Sequence, residues 1–149
     1  MPERTEGTID IRATPARIME VITDFEAYPE WAQGVERAEV RRRDGRGRPV
    51  EVAFRVGQMG VGASYTLDYT YRPGDRGLAW TSRDASGVVR RVEGEYVLEP
   101  AGGRTTVTYR TTVELAVPMV GPVKRQAERM IVAAALEGLK RRAEQGEGS

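Results

Sequence analysis

The chain of 149 residues carries 23 Lys plus Arg against 22 Asp plus Glu, a formal charge of +1. That is enough chain for one buried core, with no net field toward polyanions such as nucleic acid. Cysteine and histidine are both absent, which excludes disulfides, thiolate and imidazole chemistry and the usual zinc and haem sites. No metal and no cofactor are expected, and any catalysis would rest on Asp, Glu, Lys, Arg, Tyr, Ser or Thr.

The opening Met1-Pro2-Glu3-Arg4-Thr5-Glu6 is polar and has no apolar signal region, and no stretch nears the roughly 18 apolar residues of a membrane span. A cytoplasmic location without an integral membrane segment is the expectation. The basic clusters at residues 41–43 and 140–142 are short and read as solvated surface.

Residues 8–12 alternate Ile9 and Ile11 with polar neighbours, the period of a half-buried strand. Thr14-Pro15 supplies a cap and a first-turn proline for a short helix bearing Ile18, Met19, Val21 and Ile22. Residues 25–32, with Tyr28-Pro29-Glu30-Trp31, open a second helical turn set. From Val35 onward β-branched and aromatic residues recur in runs cut by Gly, Pro and Asp. The runs are Val35–Arg43, then Val50 to Val56, Tyr65 to Tyr71, Leu78 to Ser82, 88–99 and Thr105–Leu115. Turns are read at 44–47, 57–62, 73–75, 85–87 and 100–103. Residues 123–144 read as one long helix with Val120, Val123, Ala127, Met130, Ala134 and Gly138 on the buried stripe. Its second half looks unusually small, with Ala133, Ala134, Ala135 and Gly138. Residues 1–145 form one expected domain and 146–149 a disordered tail.

This order of elements, together with Ala13-Thr14-Pro15-Ala16, Asp24 and Tyr28-Pro29-Glu30-Trp31, resembles the START-like helix-grip superfamily. Gly94-Glu95-Tyr96-Val97-Leu98-Glu99-Pro100 and Gly103-Arg104-Thr105-Thr106-Val107 add similarity to its polyketide cyclase/dehydrase and coenzyme Q-binding-like branch. The resemblance covers almost the whole chain. It implies an α+β helix-grip fold: a curved seven-stranded antiparallel sheet around a long C-terminal helix, with two short helices after the first strand. It also implies a ligand cavity between sheet and helix. It does not imply one reaction, because fold and chemistry are separable.

Strand alternation places Phe54, Val56, Tyr65, Leu67, Tyr69, Trp80, Tyr96, Val107 and Tyr109 on the inner face, with Met130 and Ala134 from the helix and Met119 ahead of it. Each is equally a core residue, but inward tyrosines bring hydroxyls that want partners. Met59 and Val61 lie in a glycine-rich hairpin that has no helix to present amides to a phosphate; the resemblance makes that hairpin a border of the cavity. The ligand-binding candidates are therefore Phe54, Val56, Met59, Tyr65, Leu67, Tyr69, Trp80, Tyr96, Tyr109, Met119, Met130 and Ala134. Asp68, Glu93, Glu95, Arg90 and Arg110 are read as cross-strand charge pairs on the outer face rather than as acid/base groups. No catalytic constellation is evident.

Three readings follow. The first is binding of a small hydrophobic molecule such as a lipid, isoprenoid quinone or polyketide, to carry it or present it to a protein partner. The second is a polyketide cyclase, aromatase or dehydratase acting by pocket-shaped positioning. The third is a ligand-free structural or regulatory partner. A monomer or weak dimer is expected.

Overall fold

The computed structural model describes residues 4–58, 61–116 and 121–145. Seven antiparallel strands form one curved sheet: β1 (Thr5–Ile11), β2 (Val35–Arg43), β3 (Pro49–Gln58), β4 (Val61–Tyr71), β5 (Gly77–Gly87), β6 (Val89–Pro100) and β7 (Thr105–Leu115). Their spatial order is β1-β7-β6-β5-β4-β3-β2. The chain is thus a meander from β2 to β7, and β1 closes onto β7 with Gly7 opposite Tyr109. Helix α1 (Pro15–Thr23) and a 3₁₀ segment (Phe25–Glu30) bridge the two edge strands, and α2 (Gly121–Gln145) ends the fold.

Helix α1 starts where its cap chemistry dictates. The Thr14 side chain accepts a hydrogen bond from the Arg17 backbone N–H at 3.1 Å, and Pro15 occupies the first turn. Ile18, Met19, Val21 and Ile22 then bury one face. The fold, with its seven strands, two short helical segments and terminal helix, is the one that the resemblance implies.

Two sequence expectations are corrected. Ala85-Ser86-Gly87 is not a turn, because β5 runs on through it to Gly87. Ser64 pairs with Ser86 and Thr66 with Arg83, so β5 fits an extra residue into the ladder, and Asp84 takes the left-handed conformation there at φ 53°. A bulge carries the strand on where composition suggested a stop.

The buried stripe of α2 is also a different one. It runs Glu128, Val132, Leu136, Leu139 and Ala143, spaced by three and four. Met130 is 64% exposed and Ala134 only half-buried, so Met130 does not face the sheet. The larger apolar groups Val132, Leu136 and Leu139 set the face, and the helix presents them to β1 rather than a small-residue stripe. Gly138 does lie buried, against Trp31. Val120 and the side chains of Val123 and Ala127 lie outside the described residues, as do Met59, Met119 and the tail at 146–149.

Helix α2 lies mainly on β1, with α1 and β7 beside it. Gly7 makes that approach: a Cβ there would come 2.6 Å from Val132 Cγ1 and 3.0 Å from Leu136 Cδ1. The far end is fixed by polar contacts. The Arg12 backbone N–H donates to the Glu144 carboxylate at 2.8 Å, and Lys140 Nζ donates to the Asp10 carbonyl at 3.1 Å.

Candidate functional site

The inner face of the sheet is built from side chains that alternate inward along four consecutive strands. Phe54 comes from β3; Tyr65, Leu67 and Tyr69 from β4; Trp80 from β5; and Tyr96 from β6. Cross-strand pairing sets Phe54 beside Tyr65 and Tyr69 beside Trp80, and on β7 it sets Tyr109 beside Tyr96. Phe54, Leu67, Tyr69, Trp80, Tyr96 and Val107 are buried, whereas Val56, Tyr65 and Tyr109 are half-buried and pack against the core.

The 3₁₀ segment extends this layer. Phe25 packs on Tyr69 at 4.7 Å between ring centroids, Tyr28 on Phe25 at 5.2 Å, and Trp31 on Tyr28 at 4.8 Å. At the other end Trp80 stands 5.5 Å from Tyr96 and 5.6 Å from Tyr109. Every aromatic residue except Tyr71 therefore belongs to one chain of ring contacts. Tyr28 and Trp31 stand in the Tyr28-Pro29-Glu30-Trp31 motif of the sequence, which does not show that they and Phe25 belong to this layer.

The polar ends of the rings differ. Tyr28 Oη donates to the Ile22 carbonyl at 2.5 Å, and Tyr71 Oη to the Pro49 carbonyl at 2.5 Å. The hydroxyls of Tyr65, Tyr69 and Tyr96 make no hydrogen bond to a described residue. Burial is the first cause that holds all of these phenols above the ordinary tyrosine range. Tyr109 is raised by burial too, against a smaller opposing effect of a Thr111 hydrogen bond.

Tyr65 and Tyr109 combine two properties. Protein surrounds them deeply enough to disfavour their phenolates, yet each keeps accessible surface. Surrounding groups that desolvate the ring while leaving space beside it produce both.

Glu128 is the feature that sequence reading missed. It is 5% exposed, and its Oε2 has no hydrogen-bond partner among the described residues. Its spacing from Val132 and Leu136, one and two turns on, was the available signal. It shares their face, so it points toward the sheet.

The charged strand residues behave as outer-face pairs. Arg83 bridges Asp68, at 2.9 Å, and Glu51. Glu95 is held between Arg72 at 2.6 Å and Arg110 at 3.2 Å, and Arg110 also reaches Glu6. The Arg72 hydrogen bond, then that of Arg110, holds the Glu95 carboxyl below its ordinary range. Arg90 faces Glu114 at 3.7 Å, and Arg91 pairs with Glu93.

Two surface recesses open elsewhere. One of about 360 Å³ lies between Trp31, Gly34 and Val35 and the Gly138, Arg141 and Arg142 side of α2. Another of about 650 Å³ is bordered by Met19, Arg43, Arg48, Tyr71 and Arg72. Neither is lined by the predicted wall residues. Among the described residues no cluster of acidic side chains is arranged to hold a metal, and no helix is long and apolar enough to cross a membrane.

The family model described as polyketide cyclase / dehydrase and lipid transport matches residues 2–144. No curated protein matches the chain. Among solved structures, a START superfamily protein from Mycobacterium smegmatis superposes with a TM-score of 0.86 at 21% identity, over 95% of this chain and 97% of that one. The Zhui aromatase/cyclase from Streptomyces sp. R1128 gives 0.71 at 18% identity, over 97% and 95%. A STAR-related lipid transfer protein from Xanthomonas axonopodis gives 0.71 at 15% identity, over 95% and 85%. At these identities the likeness is one of fold.

Proposed function

The chain belongs to the polyketide cyclase/dehydrase and lipid transport family, and from that premise we propose that it binds a small hydrophobic molecule between the sheet and α2, to carry it or present it to another protein. Residues 1–145 act as one ligand-binding domain in this reading. The observation that carries it is the state of the inner-face residues Tyr65 and Tyr109, whose phenols burial pushes up although each stays only half-buried. Side chains packed on every side lose both water and surface; side chains beside an internal space lose only the first.

Burial of an apolar body against the half-buried Val56, Tyr65 and Tyr109, over a floor of buried Phe54, Leu67, Tyr69, Trp80 and Tyr96, supplies the affinity, at about 25 cal/mol per Å² removed from water. The hydroxyls of Tyr65, Tyr69 and Tyr96, which make no hydrogen bond to a described residue, supply orientation. A lipid, an isoprenoid quinone or a polyketide has this combination of apolar bulk and sparse polarity.

Native mass spectrometry of the purified protein, followed by denaturing extraction, tests the reading. A mass excess that resolves into one apolar compound supports it. An empty protein that also fails to bind any member of a panel of apolar probes overturns it.

A further inference from the structure

The outer-face carboxylates described above are answered by arginines, and Glu144 by Lys140 and the Arg12 N–H. Glu128 differs from them. It is the one buried Asp or Glu among the described residues, and its Oε2 is shut away from solvent without a donor. A carboxyl oxygen buried without a hydrogen-bond donor costs the fold stability unless something donates to it. A helix that needed only an apolar contact at this place would be better served by leucine, which already occupies the same stripe at Leu136 and Leu139. The carboxylate is therefore a cost to the empty fold.

Its position says what that cost serves. Val132 and Leu136, on the same stripe, reach Gly7 of β1. Gly7 pairs with Tyr109, which packs on Tyr96 at 4.9 Å and Trp80 at 5.6 Å. Glu128 stands one turn from Val132 toward the start of α2, buried on the same stripe. The described part of the interior thus holds aromatic faces, hydroxyls and one strong acceptor that lacks a donor.

We propose that Glu128 is the polar anchor of the bound molecule: its carboxylate accepts a hydrogen bond from a hydroxyl on an otherwise apolar skeleton. This rests on the ligand-binding reading above and narrows it. A phenol, a hydroquinone or a long-chain alcohol satisfies the carboxylate. The corresponding ether or quinone offers no donor, and a fatty-acid carboxylate repels it. Rotation about the side-chain torsions of Glu128 brings Oε2 onto the entering hydroxyl, and the hydrogen bond to a charged acceptor is among the stronger kinds.

The test uses the full chain and two matched probe pairs, 2-naphthol with 2-methoxynaphthalene and farnesol with its methyl ether, titrated against intrinsic tryptophan fluorescence. Wild type should bind each alcohol about tenfold or more tighter than its ether, the scale of a hydrogen bond to a charged group. Glu128→Leu should lose that preference and bind the ethers at least as tightly as wild type. Glu128→Gln, which keeps the size and a neutral acceptor, should fall between. Melting temperature guards against misfolding: Glu128→Leu should melt no lower than wild type.

Alcohol preference that persists unchanged in Glu128→Leu, with probe binding intact, overturns the anchor and leaves the ligand-binding reading standing. A fall in melting temperature in Glu128→Leu also overturns the anchor, because the carboxylate would then serve the empty fold. Failure of wild type to bind any of the four probes counts against the ligand-binding reading and takes the anchor with it.

Discussion

Trp80 lies directly over Gly94, its pairing partner across β5 and β6: a Cβ at residue 94 would come 2.5 Å from Trp80 Cζ2 and 2.5 Å from the Arg110 carbonyl oxygen. The glycine is what lets an indole lie flat on the inner face between Tyr69, Tyr96 and Tyr109. Gly94→Ala should displace the ring or the β7 backbone and cost about 1–3 kcal/mol, as overpacking does. Urea unfolding measures the loss, and altered tryptophan emission in the native state should accompany it. Unchanged stability would mean that the ring is free to move aside.

The face of α2 gives a second prediction. Leu139 is fully buried whereas Met130 is 64% exposed, although the sequence expectation placed Met130 inward. Leu139→Ala should cost about 2–5 kcal/mol, and Met130→Gln should stay within about 0.5 kcal/mol. A reversed order in denaturant midpoints would restore the other stripe.

That reversal shows where the sequence was legible. On the strands, Tyr65, Leu67 and Tyr69 alternate with polar neighbours, and a period of two permits only one inner face. The same rule placed Phe54, Trp80, Tyr96 and Tyr109 together, and it put Asp68 and Arg110 outside. On α2 the apolar residues crowd several sides, with Met130, Ile131, Val132, Ala133, Ala134, Ala135 and Leu136 in succession. A continuous run has no helical phase, so the choice fell to tertiary contacts: Gly7 leaves room for Val132 and Leu136. Glu128 stayed invisible because a carboxylate is ordinarily assigned to the solvated face. The bulge at Asp84 was missed because strand pairing, not composition, keeps the chain extended there.

Alkaline pH gives a third prediction. All six tyrosines are raised above the ordinary value of 10.0, with burial the first cause in each. Tyr71 is raised only to about 12, since the Arg48 guanidinium, 4.7 Å from its ring centroid, opposes the effect of burial. A folded pKa above the unfolded one means that the native state holds its protons longer. The corresponding stability is complete below about pH 10 and drains away as pH rises through the folded values. The tyrosinate absorption of the native protein should therefore lag that of a free tyrosine amide. Tyr71 should ionise near pH 12, and Tyr28, Tyr69 and Tyr96 only together with unfolding. A smooth titration of several tyrosines near pH 10 would contradict the buried layer.

The hydroxyls themselves divide into two groups that respond differently to removal. Tyr28 and Tyr71 each donate to a backbone carbonyl at 2.5 Å, so Tyr28→Phe and Tyr71→Phe should each cost about 0.5–1.5 kcal/mol in urea unfolding. Tyr65, Tyr69 and Tyr96 hold hydroxyls with no hydrogen bond to a described residue. Their removal breaks no hydrogen bond to a described residue, so Tyr65→Phe, Tyr69→Phe and Tyr96→Phe should be neutral within about 0.5 kcal/mol. The same three substitutions should weaken binding of an oxygen-bearing probe such as farnesol, while leaving that of a pure hydrocarbon of equal size unchanged. Stability and affinity would then move independently, as expected of groups kept for a ligand rather than for the fold. An equal loss of stability across all five variants would assign the three hydroxyls to the core instead, with partners that hold them in the empty protein.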